Sequence, residues 1–326
     1  MDSRNGQLLA LAAVGLGACV GVRALLGRRQ EYDFRGKTAL ITGGARGLGL
    51  VMAREFAAHG AHLVLCSRSA DELERAREEL AGRGAQVLAV PCDVGDQSQV
   101  DNLVRAARER FGRVDVLVNN AGLIQAGPME VMTVADYEEA MRVHFWGPLY
   151  ATLAVAPEMQ RRREGRIVNI SSIGGRISVP HLLPYSASKF ALVGFSEGLR
   201  AELAKDGVAV TTVCPGLMRT GSPRNALFKG QHQAEYAWFT LSDSLPGSSV
   251  SAESAARQIV TACRRGDADL VVSVPARAAV LFHGVFPGLT QDLLGVVNGM
   301  LPAPGGIGTD RALGKDSETP LTRSWL

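Results

Sequence analysis

A tyrosine and a lysine four residues apart, Tyr185 and Lys189, open an apolar run that extends to Leu203. Residues i and i+4 of a helix lie on the same face, so a helix here brings the lysine ammonium close to the phenol. Free tyrosine has a pKa of about 10, which a cation a few ångströms away can lower by roughly 1–3 units. Such a pair suits general acid–base catalysis. An isolated pair with this spacing is an ordinary helix surface, so the remaining motifs decide between the two interpretations.

A glycine-rich stretch, Thr42–Gly49, joins the first predicted strand, residues 37–42, to the first predicted helix, residues 48–59. Glycines let the backbone turn tightly and approach a pyrophosphate, and a helix N-terminus supplies amide donors and the positive end of its dipole. The spacing is Gly-x-x-x-Gly-x-Gly, and its place after the first strand of a βαβ unit favours a dinucleotide site over a plain turn. The expected contacts are Gly43, Ala45, Arg46, Gly47, Leu48 and Gly49.

The choice between NAD and NADP is expected at the end of the second strand, residues 61–67. An acidic residue at this point binds the ribose 2′-hydroxyl of NAD. This chain has Ser67 followed by Arg68 instead. Arg68 and Arg46 together can pair with a 2′-phosphate, which suits the guanidinium group. NADP(H) is therefore the predicted cofactor, and the alternative is that both arginines are simply solvated.

Strand and helix patterns alternate along most of the chain. Apolar runs of strand length recur at 37–42, 61–67, 86–91, 114–119, 166–171, 208–214 and 270–274, with amphipathic helices between them. This alternation predicts right-handed βαβ units, and continuous apolar strands predict a parallel sheet covered on both faces. The chain shows no internal linker or repeat. A single doubly wound α/β domain is therefore predicted over residues 34–275, followed by an apolar C-terminal extension and a loose tail over 276–326.

The composition is that of an ordinary globular protein with a large core: 326 residues, 46% hydrophobic, 21% charged, net charge +3. Aromatic and basic residues do not interleave as they do in nucleic-acid-binding proteins, so no nucleic-acid partner is predicted. The five cysteines are scattered without a C-x-x-C motif. This argues against a disulfide framework or a zinc site, and no metal site is predicted.

Residues 8–26 are nearly all apolar, interrupted only by Arg23. About nineteen residues at ~1.5 Å each span the roughly 30 Å core of a bilayer, so a membrane anchor within residues 1–30 is the first interpretation. A cleaved signal is the second, since Leu16–Cys19 resembles a lipoprotein cleavage box, and an interfacial or buried helix is the third. Positive charge gathers after the segment, which predicts a catalytic domain facing the cytoplasm.

Further motifs follow in the chain: Asn119–Gly122, Ser172, and Pro215-Gly216 with Thr220. Over residues 36–274, the order and spacing of all these motifs resemble those of the classical short-chain dehydrogenase/reductase family. The basic residues Arg46 and Arg68 are similar to the NADP-preferring subgroup. The resemblance implies a seven-stranded Rossmann-type sheet and a redox reaction between a nicotinamide cofactor and a carbonyl or alcohol.

The resemblance also implies a role for each matching residue. Tyr185 is the expected proton donor or acceptor, Lys189 holds the nicotinamide ribose and tunes Tyr185, and Ser172 hydrogen-bonds the substrate oxygen. The other implied cofactor contacts are Asp93 and Val94 at the adenine, Asn120, Ala121 and Gly122 along the cofactor, Pro215 and Gly216, and Thr220 at the carboxamide.

One position departs from the family pattern. Where the family has an asparagine that kinks the long helix, residues 133–162, and holds a water of the proton relay, this chain has His144. A neutral imidazole has one donor and one acceptor nitrogen, so His144 can still hold a water beside Lys189. An imidazole that titrates there would add a limb to the pH–rate profile between about pH 5.5 and 7.5. The alternative is a packed helix residue that points away from the site.

The favoured function is an NADP(H)-dependent oxidoreductase of a lipophilic carbonyl or secondary alcohol. Residues 219–250 form an insertion that in this family covers the substrate, and its aromatic residues can build an apolar pocket or belong to the core. The alternatives are an epimerase or dehydratase on the same scaffold, or a cofactor-binding regulatory or scaffold protein with little turnover. The helix 185–205 is apolar on more than one face, which predicts a homodimer or homotetramer through this helix and 133–162.

Overall fold

A computed structural model of the protein describes residues 31–219, 221–244 and 249–323. The elements described below all belong to the compact unit that begins at Asp33. The anchor predicted over residues 8–26 and the predicted carboxamide contact Thr220 lie outside the described residues.

The described chain forms a seven-stranded parallel sheet, as predicted. Its strands, labelled in chain order, are β1 (Thr38–Thr42), β2 (His62–Ser67), β3 (Val87–Pro91), β4 (Val116–Asn119), β5 (Gly165–Ile170), β6 (Val208–Pro215) and β7 (Asp269–Val272). Their order across the sheet is 3-2-1-4-5-6-7. Most strand residues are buried because helices cover both faces, which is why the sequence shows continuous apolar runs rather than alternation.

Helices connect successive strands and continue beyond the sheet. They are α1 (Gly47–Ala58), α2 (Ala70–Gly82), α3 (Gln97–Phe111), α4 (Val134–Met141), α5 (Gly147–Arg162), α6 (Leu183–Leu203), α7 (His232–Ser244), α8 (Ala252–Arg265), α9 (Val274–Val285), α10 (Pro287–Asn298) and α11 (Pro320–Arg323). Local sequence fixes several of the starts. Ser69 accepts a hydrogen bond from the Glu72 amide at the start of α2, and Asp96 caps α3 through the Ser98 and Gln99 amides.

The predicted helix 133–162 is continuous but changes its hydrogen-bonding pattern in the middle. Arg142–Trp146 form a π-helical turn between α4 and α5. Pro148 follows this turn and has no N–H to donate to the carbonyl of His144, so the regular α-helical pattern cannot continue through this point. Such turns are frequent at functional sites, and this one contains His144.

The insertion between β6 and α8 forms a second small core. The buried rings of Phe228, Tyr236 and Phe239 pack edge to face, with centroids 5.5 and 5.8 Å from Phe228. Trp238 and the ring of Tyr185 pack against this cluster. The insertion aromatics therefore form core, and the pocket expected from them is not built by these buried rings.

The predicted loose tail is wrong for residues 303–323. Ala312–Leu313 pair with Leu227–Phe228, which pair in turn with Gln125–Ala126. Arg311 donates to Asp136 and Glu139, each at 2.7 Å, and Asp136 is fully buried. The glycine- and proline-rich composition concealed this attachment because a few specific contacts, rather than an apolar run, hold the tail in place.

In the part of the chain that the structure describes, no single helix has both the length and the apolar composition needed to cross a membrane. The helices α9 and α10 meet the length and hydropathy requirements only when they are taken together, and the chain bends by 119° between them.

Candidate active site

The functional residues gather at the carboxyl ends of the central strands. The strand order reverses between β1 and β4, which are neighbours and whose following segments leave in different directions. A crevice opens at such a switch point, and ligands bind there in doubly wound sheets. Thr42 ends β1, Asn119 ends β4, and Ser171 and Ser172 follow β5.

The glycine loop is tightly closed between β1 and α1. Gly43 and Gly47 have φ values of +63° and +52°, a region that favours glycine. A Cβ on Gly49 would lie 2.1 Å from the carbonyl oxygen of Gly43. The N-cap Arg46 makes no side-chain cap, and the first turn of α1 carries no acidic residue. The free amides and the space that side chains would fill match the requirements of a pyrophosphate.

Thr42 and Asn120 hold this loop to the neighbouring strand. The Thr42 hydroxyl accepts hydrogen bonds from the backbone amides of Asn120, at 2.9 Å, and Ala121, at 3.0 Å. The Asn120 side-chain amide donates to the carbonyls of Thr42, at 2.9 Å, and Gly43, at 3.2 Å. Asn120 therefore braces the loop with its side-chain amide. Thr42 belongs to the glycine-rich motif, but the spacing of the motif did not reveal that its hydroxyl holds the loop to β4.

Asp93 and Val94 lie in the turn after β3. The Asp93 carboxylate accepts from the Gly95 amide at 2.9 Å, and the Asp93 amide donates to Gln99 at 2.9 Å. Val94 is buried. The turn is thus fixed at the edge of the crevice, where the resemblance implies the adenine.

The two arginines predicted to select the cofactor differ in their surroundings. Arg46 donates to Glu72 at 3.1 Å and to Asn225 at 3.0 Å. Arg68 is exposed and forms no hydrogen bond or ion pair with the described residues. Ser67, at the end of β2, accepts from the Ser69 amide at 3.3 Å. The carboxylate of Glu72 thus lies beside Arg46, which was predicted to contact the 2′-phosphate. The positions of these residues in the sequence did not suggest this contact.

Ser172 and Tyr185 meet across Gly174. The Ser172 hydroxyl accepts from the Gly174 amide at 3.1 Å. A Cβ on Gly174 would lie 3.1 Å from the Tyr185 ring and 3.5 Å from the Ser172 oxygen. The glycine therefore allows the hydroxyl and the phenol ring to approach the same point. Gly174 was not singled out from the sequence, because a single glycine after a strand also fits a plain turn.

Lys189 lies beneath this point on the same helix face. Its side chain is buried, its Nζ lies 5.7 Å from the centre of the Tyr185 ring, and it donates to the Ile170 carbonyl at 2.9 Å. Burial lowers the pKa of the ammonium to about 8. The group is therefore still mainly protonated at neutral pH and is held by one backbone carbonyl at the end of β5.

A buried chain of polar side chains fixes α6 to the sheet. Asn119 donates to Asn169 at 2.8 Å, and Asn169 donates to Ser196 at 2.9 Å. Ser196 also accepts from Thr212 at 2.7 Å. These bonds join β4, β5, α6 and β6 below the catalytic groups. The signal in the sequence was a polar residue within each apolar strand, but spacing alone did not show that these residues meet.

His144 lies in the site, and both of its ring nitrogens have partners. Its Nε2 accepts from the Leu123 amide at 3.1 Å, so the neutral ring carries its proton on Nδ1. Nδ1 then donates to the Ser188 hydroxyl at 2.7 Å, and Ser188 donates to the Tyr185 carbonyl at 2.7 Å. The ring centre lies 5.4 Å from that of Tyr185. His144 therefore positions the tyrosine helix and leaves no nitrogen free for a relay water.

Burial, and after it the charge of Lys189, hold the pKa of His144 well below 6.5. The imidazole therefore stays neutral through the range of about pH 5.5 to 7.5, and His144 is no longer expected to add a limb to the pH–rate profile there. The imidazole ring is larger than the side-chain amide of an asparagine and reaches both the Leu123 amide and the Ser188 hydroxyl. Both ring nitrogens are therefore hydrogen-bonded within the protein.

The depressed pKa predicts an acid-sensitive fold. Below pH 6.5 the unfolded chain protonates this histidine while the folded chain does not, so stability is present above pH 6.5 and lost as pH falls towards the folded pKa. We expect the urea midpoint of the parent to fall more steeply between pH 6.5 and 5 than that of His144→Asn. The control is His59→Asn, at the half-buried end of α1. Parallel pH dependences for the parent and His144→Asn would contradict the prediction.

Pro215 and Gly216 close the crevice at the end of β6. A Cβ on Gly216 would lie 3.0 Å from Ala276 Cβ and 3.0 Å from the Ser273 hydroxyl. The turn therefore packs directly on the start of α9. Gly122 is similarly close to the site, since a Cβ there would lie 3.2 Å from Nε2 of His144.

A parallel sheet with a phosphate-compatible glycine loop at its switch point, beside a serine, a tyrosine and a buried lysine, defines a dinucleotide-dependent oxidoreductase. Known proteins agree with this class. The sequence profile of the family described as "short chain dehydrogenase" matches residues 37–227, more than half of the chain. The chain therefore belongs to the short-chain dehydrogenase/reductase family, whose members use nicotinamide dinucleotides.

Individual relatives are similar over different lengths. "Oxidoreductase UcpA" of Salmonella typhimurium is 44% identical over 186 residues, which cover 57% of this chain and 70% of that protein. "Dehydrogenase/reductase SDR family member 7B" of Bos taurus is 35% identical over 283 residues, covering 83% and 85%. The crystal structure of a short-chain dehydrogenase/reductase from Burkholderia phymatum in complex with NAD has a TM-score of 0.73 and 29% identity, covering 79% and 96%.

Proposed function

We propose that the protein is an NADP(H)-dependent oxidoreductase that interconverts a lipophilic carbonyl compound and the corresponding secondary alcohol. The observation that carries the proposal is the convergence of Ser172, Tyr185 and Lys189 around Gly174. A hydroxyl donor, an acid–base group and a buried cation are the groups that a carbonyl reduction needs from a protein.

The reaction divides between cofactor and protein. A nicotinamide held by the glycine loop would donate hydride to the carbonyl carbon, or accept it in the reverse direction. Tyr185 gives its phenolic proton to the carbonyl oxygen, and Ser172 hydrogen-bonds that oxygen as negative charge develops there. The ammonium of Lys189 favours the phenolate that remains. In alcohol oxidation the phenolate takes the hydroxyl proton instead.

The lipophilic character of the substrate is supported by a cavity beside the segment that precedes the tyrosine in the chain. A cavity of about 660 Å³ lies between the loop that leads into α6 and the helix α10. Pro180 and Leu183 line it on the first side, and Leu294 and Leu301 on the second. Polar side chains, among them Glu130, His181 and Gln291, complete its lining. A mainly apolar cavity of this size suits a compound larger than a short-chain metabolite.

The preference for NADP(H) rests on Arg68. We expect Arg68→Ala to raise the Michaelis constant for NADPH by about 10- to 100-fold, because a hydrogen bond between charged groups contributes about 1.5–3 kcal/mol. The constant for NADH should change little. The matched control is Arg75→Ala, an exposed arginine on α2. Initial rates measured with each cofactor test this prediction. An equal rise in the Michaelis constants for NADPH and NADH would contradict the role of Arg68 in selecting NADP(H).

A substrate screen tests the function as a whole. Purified protein is given NADPH and a panel of ketones and aldehydes of increasing apolar size, and the loss of NADPH absorbance is followed. We expect turnover that improves with apolar size. Binding of NADPH without turnover of any carbonyl would favour the regulatory alternative. Product formation with no net change in NADPH would favour an epimerase or dehydratase.

We also propose a homodimer or homotetramer built on α4, α5 and α6. Trp146 in the turn between α4 and α5, Leu153 on α5 and Phe190 on α6 are 44%, 60% and 42% exposed, which is unusual for large apolar side chains. We expect residues 31–326 to be oligomeric at micromolar concentration by light scattering, and Phe190→Asp to weaken the assembly. Leu241→Asp, at a similarly exposed leucine on α7, serves as the control. A monomeric parent would contradict the proposal.

The localisation proposed for the protein is membrane association through residues 8–26, with the catalytic domain in the cytoplasm. The positive charge after this segment supports the orientation. A cytoplasmic active site also has access to NADPH, which an exported enzyme would lack.

A further inference from the structure

The helical hairpin formed by α9 and α10, residues 274–298, presents an unusual amount of apolar surface. The large apolar side chains that expose more than half of their area include Val274, Leu281, Val285, Phe286, Leu293 and Val296. Monomeric soluble proteins rarely expose contiguous apolar surface of this kind without a binding partner. The hairpin therefore needs an explanation beyond the fold.

This exposure surrounds the hairpin rather than covering one face. Between Arg277 and Met300, Thr290 alone is buried, and nearly all other positions are exposed. A helix that is apolar all round belongs in a protein core or in lipid. A partner protein, including a second copy of this chain, would cover one side only. A phospholipid bilayer surrounds an inserted hairpin on every side.

The composition agrees with lipid as the partner. Residues 274–301 contain three ionisable side chains, Arg277, His283 and Asp292, and the first and last of these have opposite charges. Attraction to anionic headgroups is therefore not required. The two helices together meet the hydropathy requirement of a membrane span.

The geometry excludes a simple crossing. Each helix has twelve residues and the pair is bent by 119°. Twelve residues extend about 18 Å, well short of a bilayer core of about 30 Å. Apolar stretches of about 10–14 residues are too short to span a bilayer and are typical of re-entrant or interfacial segments. We propose that the α9–α10 hairpin inserts into a single leaflet of a phospholipid bilayer.

The base of the hairpin connects this membrane contact to the site. Ser273 caps α9 by accepting from the Ala276 amide at 3.3 Å, and Ala276 is buried against Gly216. On its other side α10 forms one wall of the cavity beside the loop that leads to Tyr185. The hairpin therefore packs on the Gly216 turn at its base and lines this cavity with α10. The insertion itself rests on the exposed surface and does not depend on the proposed reaction.

Fluorescence quenching by brominated lipid tests the insertion in the full chain. Phe286→Trp and Leu293→Trp place one reporter at the bend between the two helices and one on α10. Glu78→Trp, on exposed α2 next to the opposite edge strand β3, is the matched control. Each is mixed with vesicles of phosphatidylcholine or of phosphatidylcholine brominated on its acyl chains, and the native tryptophan signal of the parent is subtracted. Because the readout is local, tethering through residues 8–26 does not produce it.

We expect the introduced tryptophans at 286 and 293 to shift to shorter emission wavelength and to lose most of their fluorescence with brominated lipid. Glu78→Trp should lose little. Adding Leu281→Asp and Val285→Asp to the Leu293→Trp chain should remove the quenching, with far-ultraviolet circular dichroism confirming that the protein remains folded. The proposal is overturned if the tryptophans at 286 and 293 are quenched no more than the tryptophan at 78. The same result is expected if a second copy of the chain or residues 8–26 cover the hairpin instead of lipid.

Discussion

Tyr185→Phe is expected to lower kcat for carbonyl reduction by about 10²- to 10⁴-fold, the usual contribution of a positioned acid–base group. The ring keeps its packing against the cluster of Phe228, Tyr236 and Phe239, because the substitution removes only the hydroxyl. Cofactor binding should persist, since the glycine loop is braced by Thr42 and Asn120 rather than by the tyrosine. The measurements are steady-state rates and a cofactor titration on the same preparation.

Tyr137→Phe is the matched control for this result. Tyr137 is a half-buried tyrosine on α4, and its hydroxyl has no proposed role in the reaction. It should retain the parent's kcat. If Tyr185→Phe keeps substantial ketone reduction, the proton comes from another group, and the role assigned to the tyrosine is wrong. If it loses cofactor binding as well, the defect is structural.

The fold could be predicted from sequence because its determinants are local and repetitive. Each predicted strand is present within two residues at both ends, since buried parallel strands are continuous apolar runs. The start of α2 also has a local determinant, because Ser69 caps it through the amide of Glu72, three residues further on. The resemblance then agreed with the seven predicted strands and supplied the role expected of Ser172.

The structure was needed wherever the outcome depended on contacts between distant residues. The attachment of the tail depends on Arg311 reaching Asp136, 175 residues away. The role of His144 depends on Leu123 and Ser188, which lie on different segments. Arg46 meets Glu72 and Asn225 in the same way. The spacing of residues along the chain does not reveal such long-range contacts.

The glycine loop shows how a close backbone approach makes one residue type obligatory. At Gly49 an added Cβ would lie 2.1 Å from the Gly43 carbonyl oxygen and 2.6 Å from the side-chain nitrogen of Asn120. Both neighbours are fixed: the Gly43 carbonyl belongs to the loop backbone, and Asn120 is bonded to Thr42 and Gly43. A side chain at this position must therefore displace the loop itself.

Gly49→Ala is accordingly expected to abolish detectable cofactor binding and to destabilise the fold by about 1–3 kcal/mol, the usual cost of overpacking. The displaced loop would break the bonds from Asn120 and shift the amides that are available to a pyrophosphate at the start of α1. A calorimetric titration with NADPH and a urea unfolding curve measure the two effects. Gly82→Ala is the control, because a Cβ there meets no atom within 4 Å, so it should bind cofactor like the parent. Parent-like affinity in Gly49→Ala would show that the loop tolerates movement and that its closure is not what holds the phosphates.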